Sequence, residues 1–276
     1  MNLGTYGIFT IGRALSEDER PEAARLVEEL GFRTLWIGGS PLLPSLRTML
    51  AATDELIIAT GIVNIWAYEP DKLAAEYADL EGEFPGRLLL GIGIGHPEVT
   101  AAYTKPVTKT AEFLDGLDAA SPPVPLDRRC LAALGPKMLA LSAERSLGAH
   151  PYYSPVEHTR AAREQLGAGP LIAPELACVV GEDPGKAKAR AYSERYLALT
   201  NYSSNLKRSG FTADDIAGGG SDRLIDAIVP QGSPESIAAV ARAHVEAGAD
   251  HVCVQTIGVS GVPREEWTAL ASVLLG

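Results

Sequence analysis

Two short segments and two histidines carry most of the chemistry available to this chain. The apolar run Leu56-Ile-Ile-Ala-Thr-Gly-Ile-Val-Asn-Ile-Trp66 ends in Gly61-Ile62-Val63-Asn64, a small residue, a β-branched one and then a polar side chain. Such a strand end presents bare backbone to a flat ring and so suits a planar cofactor; a buried strand with one glycine is the alternative. The second segment, Ala133-Leu134-Gly135-Pro136-Lys137, joins a strand to a helix expected to begin near Lys137. Free N–H groups and the positive helix end there suit a phosphate, though a structural turn has the same residues. His96 and His150 fall at expected strand ends, where an imidazole can hold or move a proton near neutral pH. Each reads equally well as a loop histidine. Trp66 and Tyr68, just beyond Asn64, would either wall an apolar substrate pocket or pack a loop.

Other chemistries lack their residues. Gly181-Glu-Asp-Pro-Gly-Lys-Ala187 is one residue short of a nucleotide-phosphate loop and has Ala where Ser or Thr should hold magnesium. Gly91-Ile-Gly-Ile-Gly95 fails the dinucleotide spacing. No Gly-x-Ser-x-Gly elbow occurs, no His and carboxylate set has metal-ligand spacing, and no strand-end lysine has Schiff-base surroundings. The formal net charge is −11, from 24 basic and 35 acidic residues, a field that repels nucleic acid and anionic membranes. Cys130, Cys178 and Cys253 are odd in number and set in apolar runs, as buried thiols of a reducing compartment would be. The N-terminus has no basic segment followed by a long apolar one, and no run reaches the length of a membrane span, so a soluble cytoplasmic protein is expected.

The elements that must position these residues alternate. Leu3 to Thr10 reads as a buried first strand, Ser16 and Glu19 as a capping box, Leu26, Val27 and Leu30 as a helical stripe ended by Gly31, and Phe32 to Gly38 as a second strand. Strand Leu56 to Ile65, helix Pro70 to Glu83 and strand Arg87 to Gly95 follow. Further on come strand Cys130 to Leu134, helix Lys137 to Leu147, and strands Gly148 to Tyr153 and Glu175 to Gly181. Pro184 to Ser209 reads as helical, Ser233-Pro234-Glu235 as a helix start, and His251 to Ile257 as a last buried strand. His158, His244 and His251 take loop, helix and strand-start positions. Repetition of this formula over 276 residues predicts one α/β domain, residues 1–276, folded as a closed (β/α)8 barrel, with an open sheet as the alternative. A barrel's working face lies at the C-terminal ends of its strands. Of seven such ends, those at Gly38, Gly61, Gly93 to Gly95, Gly135 and Gly258 carry glycine, as a mouth for a large flat ligand would. An anionic ligand would need local cations, for which Lys105, Lys109, Lys137 and Arg145 are candidates.

Leu3-Gly-Thr-Tyr-Gly7, Leu35-Trp-Ile-Gly-Gly-Ser40, Thr60 to Trp66, Arg87-Leu-Leu-Leu-Gly-Ile-Gly93, Ala133 to Met138 and Gly148-Ala-His-Pro-Tyr-Tyr153 together resemble the luciferase-like monooxygenase superfamily, along essentially the whole chain. The nearest likeness is to its oxidoreductases that use the deazaflavin coenzyme F420, which are TIM barrels and generally homodimers. The resemblance implies that Gly61 and Ile62 form a cis, bulged pair under the deazaflavin, that Asn64 hydrogen-bonds it, and that Leu134, Gly135, Pro136 and Lys137 hold its phosphate-side tail. It further implies that Ser40, Gly93 and Gly95 border the ring, that His96 assists proton transfer, and that Trp66 and His150 face a small-molecule substrate. The chain departs from the sugar-phosphate dehydrogenases of the family, which have histidine at the position of Ser40 and an acid at that of His96. Roughly residues 97 to 129 are short for a lid, implying an open site. An FMN-dependent monooxygenase and a cofactor-binding homologue without catalysis are the other readings.

Overall fold

A computed structural model describes residues 1–276. Strand β1, Tyr6–Ile11, lies parallel to β2, Thr34–Gly38, and β2 to β3, Ile57–Gly61. The chain breaks step at Ile62 and resumes as β4, Val63–Asn64; both pieces pair with β5, Leu88–Gly93. Beyond it come β6, Arg129–Leu131, β7, Gly148–Ala149, and β8, Leu171–Ile172. After Ala173 and Pro174 the same stave continues as β9, Glu175–Val180, whose far end pairs with β10, Gln231–Gly232; β9 pairs with β11, Val252–Thr256, and β11 with β1.

The stave Leu171 to Val180 closes the ring. On one side Ala173 and Glu175 donate backbone N–H groups to Ala149 and Pro151; on the other Cys253 donates to the carbonyl of Pro174. The break at Pro174, which has no N–H to give, falls where the stave changes partner. Eight staves result, all parallel, and a parallel ring requires a helical crossover after each strand.

Those crossovers are α1, Glu19–Glu29; α2, Arg47–Ala51; α3, Pro70–Glu83; α4, Pro106–Ala119; α5, Pro136–Arg145; and α6, Val156–Leu166. Between β9 and β10 lie α7, Ala187–Leu197, α8, Thr200–Arg208, α9, Ala213–Ile216, and α10, Asp222–Ile228; α11, Pro234–Glu246, and α12, Arg264–Leu274, complete the jacket. The capping box forms as read: Ser16 N–H donates to Glu19 and Glu19 N–H to the Ser16 hydroxyl. Helix α3 has the expected bounds, and Ser233 caps α11. Outward strand residues such as Ile8, Leu35, Ile58, Leu90 and Val254 pack with the helices in one large apolar cluster.

The barrel interior is separate and crowded. Phe9, Trp36, Ala59, Leu89, Cys130, Ala173 and Cys253 form a cluster of their own, and all three cysteines are buried free thiols. Room for its aromatic rings comes from glycine on neighbouring strands: a Cβ at Gly38 would meet Phe9 Cζ at 2.6 Å, and one at Gly7 would meet His251 at 2.7 Å. Forcing an extra methyl into such a core costs about 1–3 kcal/mol.

Several elements differ from expectation. The strands β6 and β7 are only three and two residues long, shorter than expected, although backbone bonds to neighbouring staves continue at Ala132, His150 and Pro151. The helical stretch from Pro184 is broken at Leu199, whose extended backbone starts α8 in a new direction. Helices α4, α6 and α12 have apolar faces outside the sequence reading, and His158, read as a loop residue, lies on α6.

Candidate functional site

The strand ends open into a cavity of about 670 Å³, within the range of small-molecule and cofactor sites. One wall is backbone. The Gly61–Ile62 peptide bond is cis. A Cβ at Gly61 would stand 2.5 Å from Phe9 Cε2 and 3.3 Å from His150 Nε2, so only glycine leaves that surface flat. Ile62 beside it is held from behind: a Cβ at Gly93 would come within 2.9 Å of its side chain. Ser40, with a left-handed φ of 54°, turns its hydroxyl to accept the Asn64 N–H at 3.1 Å. Asn64 Oδ1 accepts the Trp66 N–H, and its Nδ2 lies 3.0 Å from the Cβ position of Gly95, at the cavity's edge.

Below this wall sits a fixed stack. His150 lies on Trp36 with ring centroids 4.1 Å apart at 16°. Its Nδ1 donates to the Ala173 carbonyl at 2.7 Å, which leaves Nε2 as an acceptor, buried and without a partner, beside Gly61. The Trp36 indole donates to His251 Nε2 at 3.0 Å, and His251 Nδ1 donates to the Gly4 carbonyl. Burial pushes His150 and His251 down to about 4, so both are neutral at pH 7. His251 is a satisfied core histidine; His150 presents an unused acceptor.

A third wall descends from the N-terminus of α5, where Leu134, Gly135, Pro136 and Lys137 all line the cavity. His158 on α6 donates through Nε2 to the Leu134 carbonyl and pins this turn. Arg208 reaches across from α8, its guanidinium 3.9 Å from the Cβ position of Gly135, and burial lowers its pKa. Arg13 and Arg195 also line the mouth. The lining contains four cationic side chains and no carboxylate, in a chain of net charge −11. Of the four cations expected from sequence, only Lys137 is among them; Lys109 pairs with Glu112, Arg145 pairs with Asp115 and Asp118, and Lys105 is exposed.

The fourth wall is aromatic and hydroxylic. Tyr152, Tyr196 and Tyr202 line the cavity, with Tyr153 and Tyr192 directly behind. His96 is half-buried, its ring 4.9 Å from that of Tyr202 and its Nδ1 3.3 Å from Asn201 Nδ2; burial lowers its pKa despite the nearby Glu98. Val99, Tyr103, Pro106 and Val107 cover the remaining side, so the short segment after β5 does reach over the mouth.

The cavity thus gathers Ser40, Gly61, Ile62, Asn64, Gly95, His96, the Leu134 to Lys137 turn and His150. Gly93 stands behind Ile62, and Trp66 faces away, donating its indole N–H to the Ile94 carbonyl at 2.9 Å. Arg13, Arg195, Arg208 and the tyrosines were missed from sequence. Five of the nine tyrosines occur in Tyr152-Tyr153 and at 192, 196 and 202, a clustering that composition alone could have flagged.

The luciferase-like monooxygenase family profile matches residues 6–251. An F420-dependent glucose-6-phosphate dehydrogenase of Microbacterium testaceum (strain StLB037) is 28% identical over 116 residues, covering 37% of this chain and 34% of the relative. The match therefore spans about a third of that protein's length. Among solved structures, an F420-dependent secondary alcohol dehydrogenase in complex with an F420-acetone adduct superposes with a TM-score of 0.74 at 15% identity, covering 98% of this chain and 97% of the other. The coenzyme F420-dependent tetrahydromethanopterin reductase of Methanopyrus kandleri gives 0.70 at 15% identity, with 98% of each chain covered. The oxygenating constituent of 3,6-diketocamphane monooxygenase from Pseudomonas putida, in complex with FMN, gives 0.70 at 16%, covering 98% and 96%. These superpositions show a shared barrel.

Proposed function

The chain belongs to the luciferase-like monooxygenase family, and from that premise we propose that it is an oxidoreductase moving a hydride between deazaflavin coenzyme F420 and a small organic substrate. One observation carries the reading: a ring-sized mouth with a side-chain-free floor at Gly61 and four cations without a carboxylate, in an acidic protein. The residues suit the group. The orphaned His150 Nε2 can accept a ring N–H, Asn64 can hydrogen-bond the ring edge, and Lys137, Arg208 and the α5 N-terminus suit a phosphate-bearing tail. A bound deazaflavin would supply two-electron hydride chemistry.

The chain's own part is positional. Gly61 and Ile62 set the height of the ring, Phe9 and Tyr152 keep water from beneath it, and His150, held neutral by burial, accepts without adding charge. His96, at the rim beside Asn201, can hold a proton there. A homodimer, which the resemblance implies, belongs to the same reading.

Titration of the protein with F420 and with FMN, followed by tryptophan quenching and repeated with Asn64→Ala, tests it. Tight F420 binding, weakened about tenfold by the substitution through loss of one hydrogen bond in a dry site, is the expected result. Preference for FMN would move the assignment to a monooxygenase, and binding of neither would overturn it.

A further inference from the structure

The four cations of the mouth do not act together. Lys137 and Arg208 flank the turn into α5, where a phosphate-bearing tail fits, and Arg13 reaches Gly39, its Nη1 3.8 Å from that residue's Cβ position. Arg195, on the last turn of α7, has neither an ion pair nor a hydrogen bond, and its charge falls on His96, Tyr196 and Tyr202. That corner of the cavity holds two further donors. Asn201 Nδ2 donates to the Gly95 carbonyl and to His96 Nδ1, each at 3.3 Å. A carbonyl oxygen only accepts, so the amide cannot be turned the other way, and a neutral imidazole that accepts at Nδ1 carries its proton on Nε2. Burial, with Arg195 adding to it against Glu98, holds His96 below its ordinary pKa, so this neutral form is the one present at neutral pH.

The second donor is Tyr202, whose ring lies 4.9 Å from that of His96. Its hydroxyl has no partner in the protein, yet unlike that of Tyr153 it is not sealed off, and it opens onto the cavity that Tyr202 lines. Burial raises its pKa, so it keeps its proton. Three donors thus share one corner with no carboxylate to satisfy them. Glu98, the acid that acts on His96, already accepts the Thr200 N–H at 2.8 Å and lies outside the lining. Gly95 joins this corner to the ring site: its carbonyl holds Asn201, and its Cβ position is 3.0 Å from Asn64 Nδ2.

We infer that the His96 Nε2–H, the Tyr202 hydroxyl and the Arg195 guanidinium bind a carboxylate of the organic substrate, which makes the substrate class a short oxo or hydroxy acid. The inference rests on the oxidoreductase reading for the reaction, while the carboxylate site itself needs no cofactor. A carboxylate has about four lone-pair sites, so the guanidinium can engage both oxygens and leave positions for the imidazole and the phenol. One cation beside two neutral donors matches a singly charged group. A phosphate dianion calls for more positive charge, as at the α5 turn, where Lys137, Arg208 and a helix N-terminus meet. Anchoring the acid at this corner directs the rest of a short molecule past Gly95 toward the ring edge at Asn64, which orients it without touching the reacting carbon.

Calorimetric titration of the protein without cofactor tests the site directly, with pyruvate and 4-oxopentanoate each set beside its methyl ester. At least one acid should bind about tenfold tighter than its ester. Arg195→Gln, at an exposed position, should abolish that preference, and Tyr202→Phe, which keeps the ring, should reduce it. Acids that bind no tighter than their esters would overturn the inference, as would a preference that survives Arg195→Gln or disappears in Arg208→Gln instead. Dihydroxyacetone phosphate bound in preference to both acids would replace the carboxylate with a phosphate. In the F420-loaded enzyme reducing the preferred acid, Arg195→Gln should raise KM about tenfold with kcat and F420 affinity little changed; a matching loss of F420 affinity would give Arg195 to the cofactor and overturn the substrate site. Failure of F420 to bind leaves the cofactor-free titration intact, so the failure of the oxidoreductase reading is told apart from that of the carboxylate site.

Discussion

The two sides of the barrel mouth are built on opposite principles. The wall from β2 to β5 works by absence: Gly38, Gly61 and Gly93 give their side-chain volume to Phe9 and Ile62, and the ligand meets backbone. The wall from β7 to α8 works by excess, five tyrosines in ring contact, of which Tyr152, Tyr192 and Tyr196 join their hydroxyls while that of Tyr153 is buried without a partner. A wall of missing side chains fixes shape and tolerates almost no addition. A wall of phenols fixes polarity and tolerates loss of any one oxygen while the rings stay packed. Substitutions on the first should therefore damage binding more than loss of a single hydroxyl from the second.

Gly61→Val is the harshest test of that contrast. Its first added carbon would stand 2.5 Å from a buried Phe9 ring, and the rest would fill the floor of the cavity. F420 affinity should fall more than about 100-fold, equal to about 2.7 kcal/mol, while the thermal midpoint drops by an amount fitting overpacking of about 1–3 kcal/mol. Calorimetric titration beside a thermal melt checks both. Undiminished affinity in a folded variant would mean that the ligand lies elsewhere in the mouth.

The same contrast explains what could be read before the structure. Period, caps and glycines are local signals, and with them the barrel, the strand ends and the turn at Gly135 to Lys137 were legible. The tyrosine wall joins residues 152, 192, 196, 202 and 255, which only ring closure through Leu171 to Val180 brings together. Glu175 was visible as a strand residue, but nothing in its neighbours tells that it points inward rather than to a helix. The cations were misjudged for a related reason. Arg145 looks free along the sequence, yet it meets Asp115 and Asp118 on α4, and Arg208 is carried to Gly135 by a helix whose direction changes at Leu199; Lys109, by contrast, pairs with Glu112 three residues on, a local partner open to sequence reading.

Arg208 therefore gives the next effect in size. Its guanidinium has one hydrogen bond, to Asn205, and otherwise faces the mouth near the α5 N-terminus. A charge-assisted bond to a phosphate contributes about 1.5–3 kcal/mol, so Arg208→Gln should weaken F420 at least about tenfold. It should also flatten the dependence of affinity on salt, since one screened charge pair is gone. A loss of affinity without a change in salt dependence would assign Arg208 to packing, and the anionic tail to Lys137 alone.

Trp66→Phe should have the smallest effect, and it asks how far the backbone wall extends. The indole sits behind Asn64, packs against the outer core, and spends its one donor on the Ile94 carbonyl. Phenylalanine keeps most of the apolar contact and loses that bond, which should cost about 1 kcal/mol of stability. Because Asn64 Oδ1 is held by the Trp66 backbone N–H rather than by the ring, the polar edge of the site survives, and F420 affinity should change less than about twofold. A tenfold loss in binding would show that the ring, and not the peptide, sets the position of Asn64. The glycine wall would then depend on an aromatic support as the opposite wall does, and the contrast between the two would narrow to the floor beneath Gly61.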